Sequence, residues 1–132
     1  MKITLENLTK VFSNKQQNRE VTAVNKMNIE IPDGELVGLL GPSGCGKSTL
    51  GRCVLQMLKA TEGQVLYEGN DLVHMSENDW KNYRKKLQII FQDPYSALNP
   101  NWNVRQLIAE PLQANGYTEE QIDGRIRELL KI

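Results

Sequence analysis

The chain opens on an alternation. In KITLENLTKVF, Ile3, Leu5 and Leu8 are set among polar residues, and Val11 and Phe12 close the run. A period of two predicts a half-buried strand, and the lost phase near Asn7 predicts an irregularity in it. SNKQQNRE is polar throughout and reads as an exposed hairpin loop. VTAVNKMNIEI alternates again at Met27, Ile29 and Ile31. Two alternating strands around a polar loop predict an antiparallel edge sheet. Pro32 ends the pairing, and Asp33-Gly34 suits a tight reversal.

ELVGLLG breaks the alternation. Leu36, Val37, Leu39 and Leu40 form an almost continuous apolar run, the pattern of a strand buried on both faces. Beyond a glycine-rich stretch, KSTLGRCVLQMLK sets Leu50, Val54, Met57 and Leu58 on one face of a helix. Gly51 costs that helix about 1 kcal/mol against alanine and suits close packing of a neighbour. A short strand is expected at Gln64 to Tyr67, between turns. SENDWKNYRKK has Ser76 as N-cap, acids in its first turn and bases in its last, matching the helix dipole; KNYRKK is then a solvated helix face. LQIIFQ reads as a short apolar strand. Asn103 with Gln106, and Thr118 with Gln121, are capping-box pairs opening two more helices. Pro111 is expected to kink or end the first of them. Ile122, Ile126, Leu129 and Leu130 stripe the second.

Composition narrows the class. A length of 132 residues suits one small domain or part of a larger one, and 39% hydrophobic with 24% charged residues is ordinary for a globular protein. Sixteen basic and sixteen acidic residues balance to a net charge of +0. That speaks against a broad nucleic-acid or anionic-lipid surface, so no nucleic-acid partner is expected. Cys45 and Cys53 lack metal-ligand spacing and read as reduced thiols of a cytosolic protein. His74 reads as a solvent-exposed loop residue. The N-terminus lacks a signal-peptide core, and no stretch approaches the roughly 20 apolar residues of a membrane span. Direct membrane insertion is therefore not expected, whereas attachment to a membrane protein is compatible with the pattern.

The chemistry concentrates in GPSGCGKST, residues 41–49. Gly41, Gly46, Lys47 and Ser48 satisfy G-x-x-x-x-G-K-[ST]. Gly41, Pro42, Ser43, Gly44, Cys45, Gly46, Lys47, Ser48 and Thr49 are the expected nucleotide-binding residues. Glycines let successive N–H groups curl around an anion, and the following helix adds the positive end of its dipole. Lys47 supplies a mobile charge for the β- and γ-phosphates, and the Ser48 hydroxyl a ligand for Mg²⁺. The guanine-reading N-K-x-D and the D-x-x-G pattern of GTPases do not follow the cradle, and no basic lid of a small-molecule kinase stands out. Gln92 closes the LQIIFQ run. An amide at a strand end is placed to contact Mg²⁺ or orient a water without adding charge.

GPSGCGKST, FQ at Phe91-Gln92, FQDPYSALNP and VRQLIAEPL together resemble the nucleotide-binding subunit of ABC transporters, and among these the oligopeptide/dipeptide/nickel importer ATPases. The resemblance runs over essentially the whole chain. It implies an α/β P-loop NTPase fold of the ABC type: an antiparallel edge sheet, parallel core strands around the phosphate-loop helix, and the start of a helical subdomain. Residues 1–92 would be the β-subdomain and phosphate-loop core, and residues 93–132 the start of the helical part. The resemblance further implies that Phe12 stacks on adenine and that Gln92 couples Mg²⁺ to the membrane-spanning partner. Lys47 and Gln92 would thus be catalytic, and Ser48 and Gln92 the metal contacts. Asp93 to Trp102, with Tyr95, would lie near the groove for the permease's coupling helix. ATP and Mg²⁺ are the implied cofactors. Permease subunits and a second ATPase subunit are the implied partners, at the cytoplasmic face of the cell membrane.

The family's LSGGQ signature, Walker B carboxylates, D-loop and switch histidine do not occur before Ile132, and His74 does not match the last of these. The expectation is binding of Mg-ATP at reduced affinity with negligible hydrolysis by this chain alone, together with oligomerisation or marginal stability from uncovered strand edges. Two alternatives stand beside it: a short module that holds nucleotide or a partner without turnover, and an ABC-type ATPase of a non-transport complex. The transported solute, a peptide or a related small molecule, is not fixed by these residues.

Overall fold

Two long strands, β1 (Ile3–Asn14) and β2 (Arg19–Ile31), pair antiparallel from Ile3 opposite Ile31 to Asn14 opposite Arg19. The computed structural model describes residues 2–14 and 18–131. Ser13, Asn14, Arg19 and Glu20 of the expected loop are thus drawn into the ladder, and its residues 15–17 lie outside the described residues. β1 also pairs antiparallel with β3 (Glu62–Tyr67), and β3 with the two-residue β4 (Asn70–Asp71), giving the order β2-β1-β3-β4.

The irregularity expected at Asn7 is present. Asn7 has φ 49°, and both ladders of β1 shift register around it. Its N–H donates to Asn28 Oδ1 at 2.9 Å. Its carbonyl lies against Gly63, where a Cβ would come within 2.4 Å of that oxygen. With φ 86° as well, position 63 admits glycine and little else.

One face of the sheet is buried. Leu5, Leu8, Val65 and Tyr67 form its core, and helix α1 (Lys47–Val54) packs Leu50 and Cys53 onto it. α1 is shorter than the apolar spacing suggests. Gln56 adopts φ 55°, its N–H donates to Cys53 O, and the N–H groups of Met57 and Leu58 both donate to Arg52 O. This is the left-handed reversal that ends helices, here with glutamine where glycine is usual. Met57 and Leu58 consequently leave the helical face they were expected to share with Leu50 and Val54. Helix α2 (Glu77–Arg84) starts as expected, with Ser76 Oγ accepting from Asp79 N–H.

The runs at residues 35–41 and 87–92 are not strands, contrary to the expectation of parallel core strands. All ladders among the described residues are antiparallel. Leu36, Leu40 and Ile90 are each 97% exposed. A segment that is apolar on both faces gains strand structure only between neighbours that cover both, and no ladder partner faces either run among the described residues.

The described residues form two units, divided after Gln88. The second contains α3 (Pro94–Ala97), α4 (Val104–Ala114) and α5 (Glu119–Leu129). Both expected capping boxes are closed: Asn103 with Gln106, and Thr118 with Gln121. Ala109, Ile122 and Ile126 form the core between α4 and α5, while Leu129 and Leu130 remain exposed. Arg105 ties the two helices together through Glu119 at 3.1 Å and Asp123 at 2.7 Å. Pro111 neither ends nor interrupts α4. It falls in the last turn, where its missing N–H forfeits a single bond. The helix ends after it, with Gly116 N–H donating to Gln113 O and Tyr117 N–H to Leu112 O.

Candidate functional site

The glycine-rich loop is seated on backbone. Gly46, the N-cap of α1, has φ 97°, and a Cβ there would lie 2.2 Å from the carbonyl oxygen of Ala23 in β2. Any side chain would lift the loop off the strand. Because the cap is glycine, no side chain closes the first turn of α1. The N–H groups of Lys47, Ser48 and Thr49 have no carbonyl four residues back within the helix, and such donors suit an external acceptor. The helix's first internal bond, Leu50 N–H to Gly46 O, is 2.8 Å.

Lys47 folds back over the loop. Its Nζ donates to the carbonyls of Gly41 and Pro42, at 2.7 Å each, and lies 3.5 Å from Cys45 Sγ. Pro42 O also accepts from Cys45 N–H at 3.4 Å. The ammonium is thus held by neutral dipoles, so its charge is not cancelled by a carboxylate among these contacts. Ser43, Gly44 and Ser48 are exposed beside it. Cys45 is exposed and Cys53 buried on the inner side of α1. Burial pushes the Cys53 thiol up from its ordinary pKa, with Lys10 acting weakly against it.

Phe12 stands near the far end of β1, opposite Val21 of β2, and is 43% exposed. The next residues of β2, Thr22, Ala23 and Val24, join Cys45, Gly46 and Lys47 in lining a cleft of about 550 Å³. Two strand residues span about 7 Å. β2 therefore runs from beneath the loop to the partner of Phe12 within one short step. Lys10 Nζ sits over the Phe12 ring, 5.2 Å from its centroid. The sequence reading missed this pairing, although the i, i+2 spacing on a strand signals a shared face.

Gln92 belongs to the second unit, exposed and on neither helix nor strand, so the strand end expected to present it is absent. Asp93 follows it as N-cap of α3, its Oδ1 accepting from Tyr95 N–H at 3.0 Å. Tyr95 and Trp102 are exposed. His74 pairs with Asp71 at 2.5 Å on the first unit's surface. Among the described residues no three His, Cys, Asp or Glu side chains gather into a metal site. The Ser48 hydroxyl alone fits Mg²⁺ only as one ligand of an ion that takes its other oxygens from phosphate and water.

Comparison with known proteins gives a consistent answer. The family profile described as "ABC transporter" matches residues 24–131. The chain is 48% identical over 95 residues to the "Putative oligopeptide transport ATP-binding protein YkfD" of Bacillus subtilis, covering 72% of this chain and 29% of that protein. It is 42% identical to the "Oligopeptide transport ATP-binding protein AppF" of the same organism, over 84% of this chain and 34% of the relative. It is 37% identical to the "Dipeptide transport ATP-binding protein DppF" of Lactococcus lactis, over 98% of this chain and 43% of the relative. The chain thus spans between 29% and 43% of the length of these relatives. Among solved structures, the "Dimeric Structure of MJ0796, a Bacterial ABC Transporter Cassette" superposes with a TM-score of 0.78 at 27% identity, over 98% of this chain and 56% of that one. A second, described as a post-hydrolysis state of the same ATP-binding cassette bound to ADP and Pi, matches with the same TM-score at 26% identity, again over 98% of this chain and 56% of that one.

Proposed function

The chain belongs to the ABC transporter family, and from that membership we propose that it is the nucleotide-holding part of an importer ATPase that energises uptake of peptides or a related small solute. The observation that carries this reading is the seat of Gly46 on the Ala23 carbonyl, which brings the open first turn of α1 and Lys47 to the strand that also carries the partner of Phe12. Phosphate loop and aromatic platform thereby stand along one strand.

Binding follows from these residues. The N–H groups of residues 47–49 and the dipole of α1 meet the polyphosphate. Lys47 exchanges part of its hold on the Gly41 and Pro42 carbonyls for charged oxygens, a stronger class of acceptor. Ser48 offers its hydroxyl to Mg²⁺, which when bound neutralises phosphate charge. Phe12 offers a flat face to the base. Gln92 is proposed to couple the nucleotide state to the permease-facing segment, on whose exposed surface Tyr95 and Trp102 stand. Hydrolysis needs a group to orient or deprotonate water. The family's Walker B carboxylates do not occur in these residues, so turnover by this chain alone is proposed to be negligible.

The proposed partners are permease subunits and a second ATPase subunit, the latter supported by the dimeric form of the matched cassette. Attachment would be peripheral, at the cytoplasmic face; among the described residues no helix is long and apolar enough to cross a membrane. The exposed runs at residues 36–40 and 89–91 are proposed to pack against the remainder of a full-length cassette.

Titration calorimetry of Mg-ATP against the chain and its Lys47→Ala variant tests the reading. At least a ten-fold loss of affinity is expected, since charge-assisted bonds each contribute roughly 1.5–3 kcal/mol. Equal affinity would overturn the loop's assignment. Phosphate release at rates typical of complete ATPases would overturn the proposal that this chain does not turn over alone.

A further inference from the structure

We propose that Lys10 is a positioning residue that fixes the Phe12 ring as a platform for an electron-rich purine base. The inference rests on the reading of Phe12 given above and adds what holds that ring in place.

β1 loses its neighbour β3 just before Phe12. The last pair between them is Thr9 opposite Glu62. Past it, the free side of β1 is held by the short segment at residues 59–61. Thr61 N–H donates to Thr9 O at 2.8 Å, and Val11 N–H donates to Thr61 Oγ1 at 3.0 Å. Lys10 Nζ donates to Lys59 O at 2.7 Å. The β1–β2 register shifts between Lys10 and Val11. The strand is therefore irregular at the point where it delivers Phe12, and bonds to residues 59–61 take the place of the missing ladder.

Lys10 has two attachments. Its ammonium is anchored by a carbonyl, and it lies over the Phe12 ring at 5.2 Å from the centroid. A cation at that distance is attracted by the ring's negative face. An exposed phenylalanine near a strand end would otherwise be free to change rotamer, and ordering it would weaken binding of a base. The cation occupies one face and leaves the rest of the ring's exposed surface to a flat ligand. It also draws electron density from the ring, which favours stacking of an electron-rich partner on the other side.

The anchor is tied to the phosphate loop through the chain. Lys59 follows the reversal at Gln56 that ends α1, and α1 begins at Lys47. One helix thus has the phosphate-binding turn at its start and the support of the base platform just beyond its end.

The experiment is calorimetry of the full chain with ATP and with inorganic tripolyphosphate, for Lys10→Met, Lys10→Arg, Phe12→Ala and the Lys10→Met/Phe12→Ala pair. The expected result is that Lys10→Met weakens ATP about three-fold and leaves tripolyphosphate unchanged, which also reports an intact fold. Lys10→Arg should keep the parent affinity, and Lys10→Met should add nothing in the Phe12→Ala background. Equal weakening of both ligands, additive effects in the pair, or no effect of Lys10→Met where Phe12→Ala does weaken ATP would each overturn the inference. Should Phe12→Ala itself leave ATP binding unchanged, the platform reading fails first and takes this inference with it.

Discussion

The hairpin sheet and the apolar run that follows it are built from similar residues and end in opposite states. Leu8, Val65 and Tyr67 are fully buried, whereas Leu36 and Leu40 are 97% exposed. The difference is in where each segment finds its partner. An alternating strand needs cover on one face and a neighbour along its edge, and β1 finds β2 within one hairpin and β3 soon after. A run that is apolar on both faces needs neighbours all round. Hydrophobicity thus decides what a segment requires, and the described chain decides whether the requirement is met.

The sharpest test of this contrast sets Leu8→Ala against Leu40→Ala in denaturant melts. Leu8→Ala should cost about 2–5 kcal/mol, because its methyl groups leave a packed core. Leu40→Ala should change stability by less than about 0.5 kcal/mol, as surface substitutions do. Comparable losses would break the contrast. A second, smaller effect probes the buried side. The Tyr67 hydroxyl is buried without a hydrogen-bond partner among the described residues, while its ring meets Tyr83 edge-on with centroids 5.6 Å apart. Tyr67→Phe keeps the ring packing and removes the stranded group. It should stabilise the fold by roughly 1 kcal/mol, given the usual cost of an unsatisfied buried hydroxyl. A loss of stability would mean that the hydroxyl has a partner.

The smallest effect is a pH dependence. Cys53 has its pKa raised by burial, so the folded state favours the neutral thiol. The unfolded chain releases that proton earlier, near the ordinary thiol value of about 8.5. Stability from this group is therefore complete below that pH and falls as pH rises toward the folded pKa. Melting temperature should decline between pH 8 and 10, and Cys53→Ala should flatten the decline. An unchanged slope would place the titration elsewhere.

Much of this was legible in the residues because the signals are local. The phase break at Asn7, the Ser76 cap and the two capping boxes each involve side chains within a few positions of the backbone groups they serve. The misreadings share a cause: the deciding partner is distant or the backbone departs from its usual residue preference. Gln56 ends α1 in a conformation that its type rarely adopts. Pro111 is tolerated because of where it falls in α4. The runs at residues 35–41 and 87–92 carry strand-like sequence, but the described chain offers them no ladder. Of the candidate site, the glycine–lysine motif was recognisable from its spacing alone. The Ala23 carbonyl under Gly46 and the Lys59 carbonyl behind Lys10 were not, because any residue type supplies a carbonyl.

That same anonymity has an outcome for variation in β2. The mould on which the glycine-rich turn is cast is a peptide oxygen, that of Ala23, and side-chain replacements along the strand leave it in place. Drift at Thr22 or Ala23 can therefore be wide without deforming the turn, whereas inserting or deleting a single position within the paired part of β2 would present the wrong part of the strand and spoil the casting.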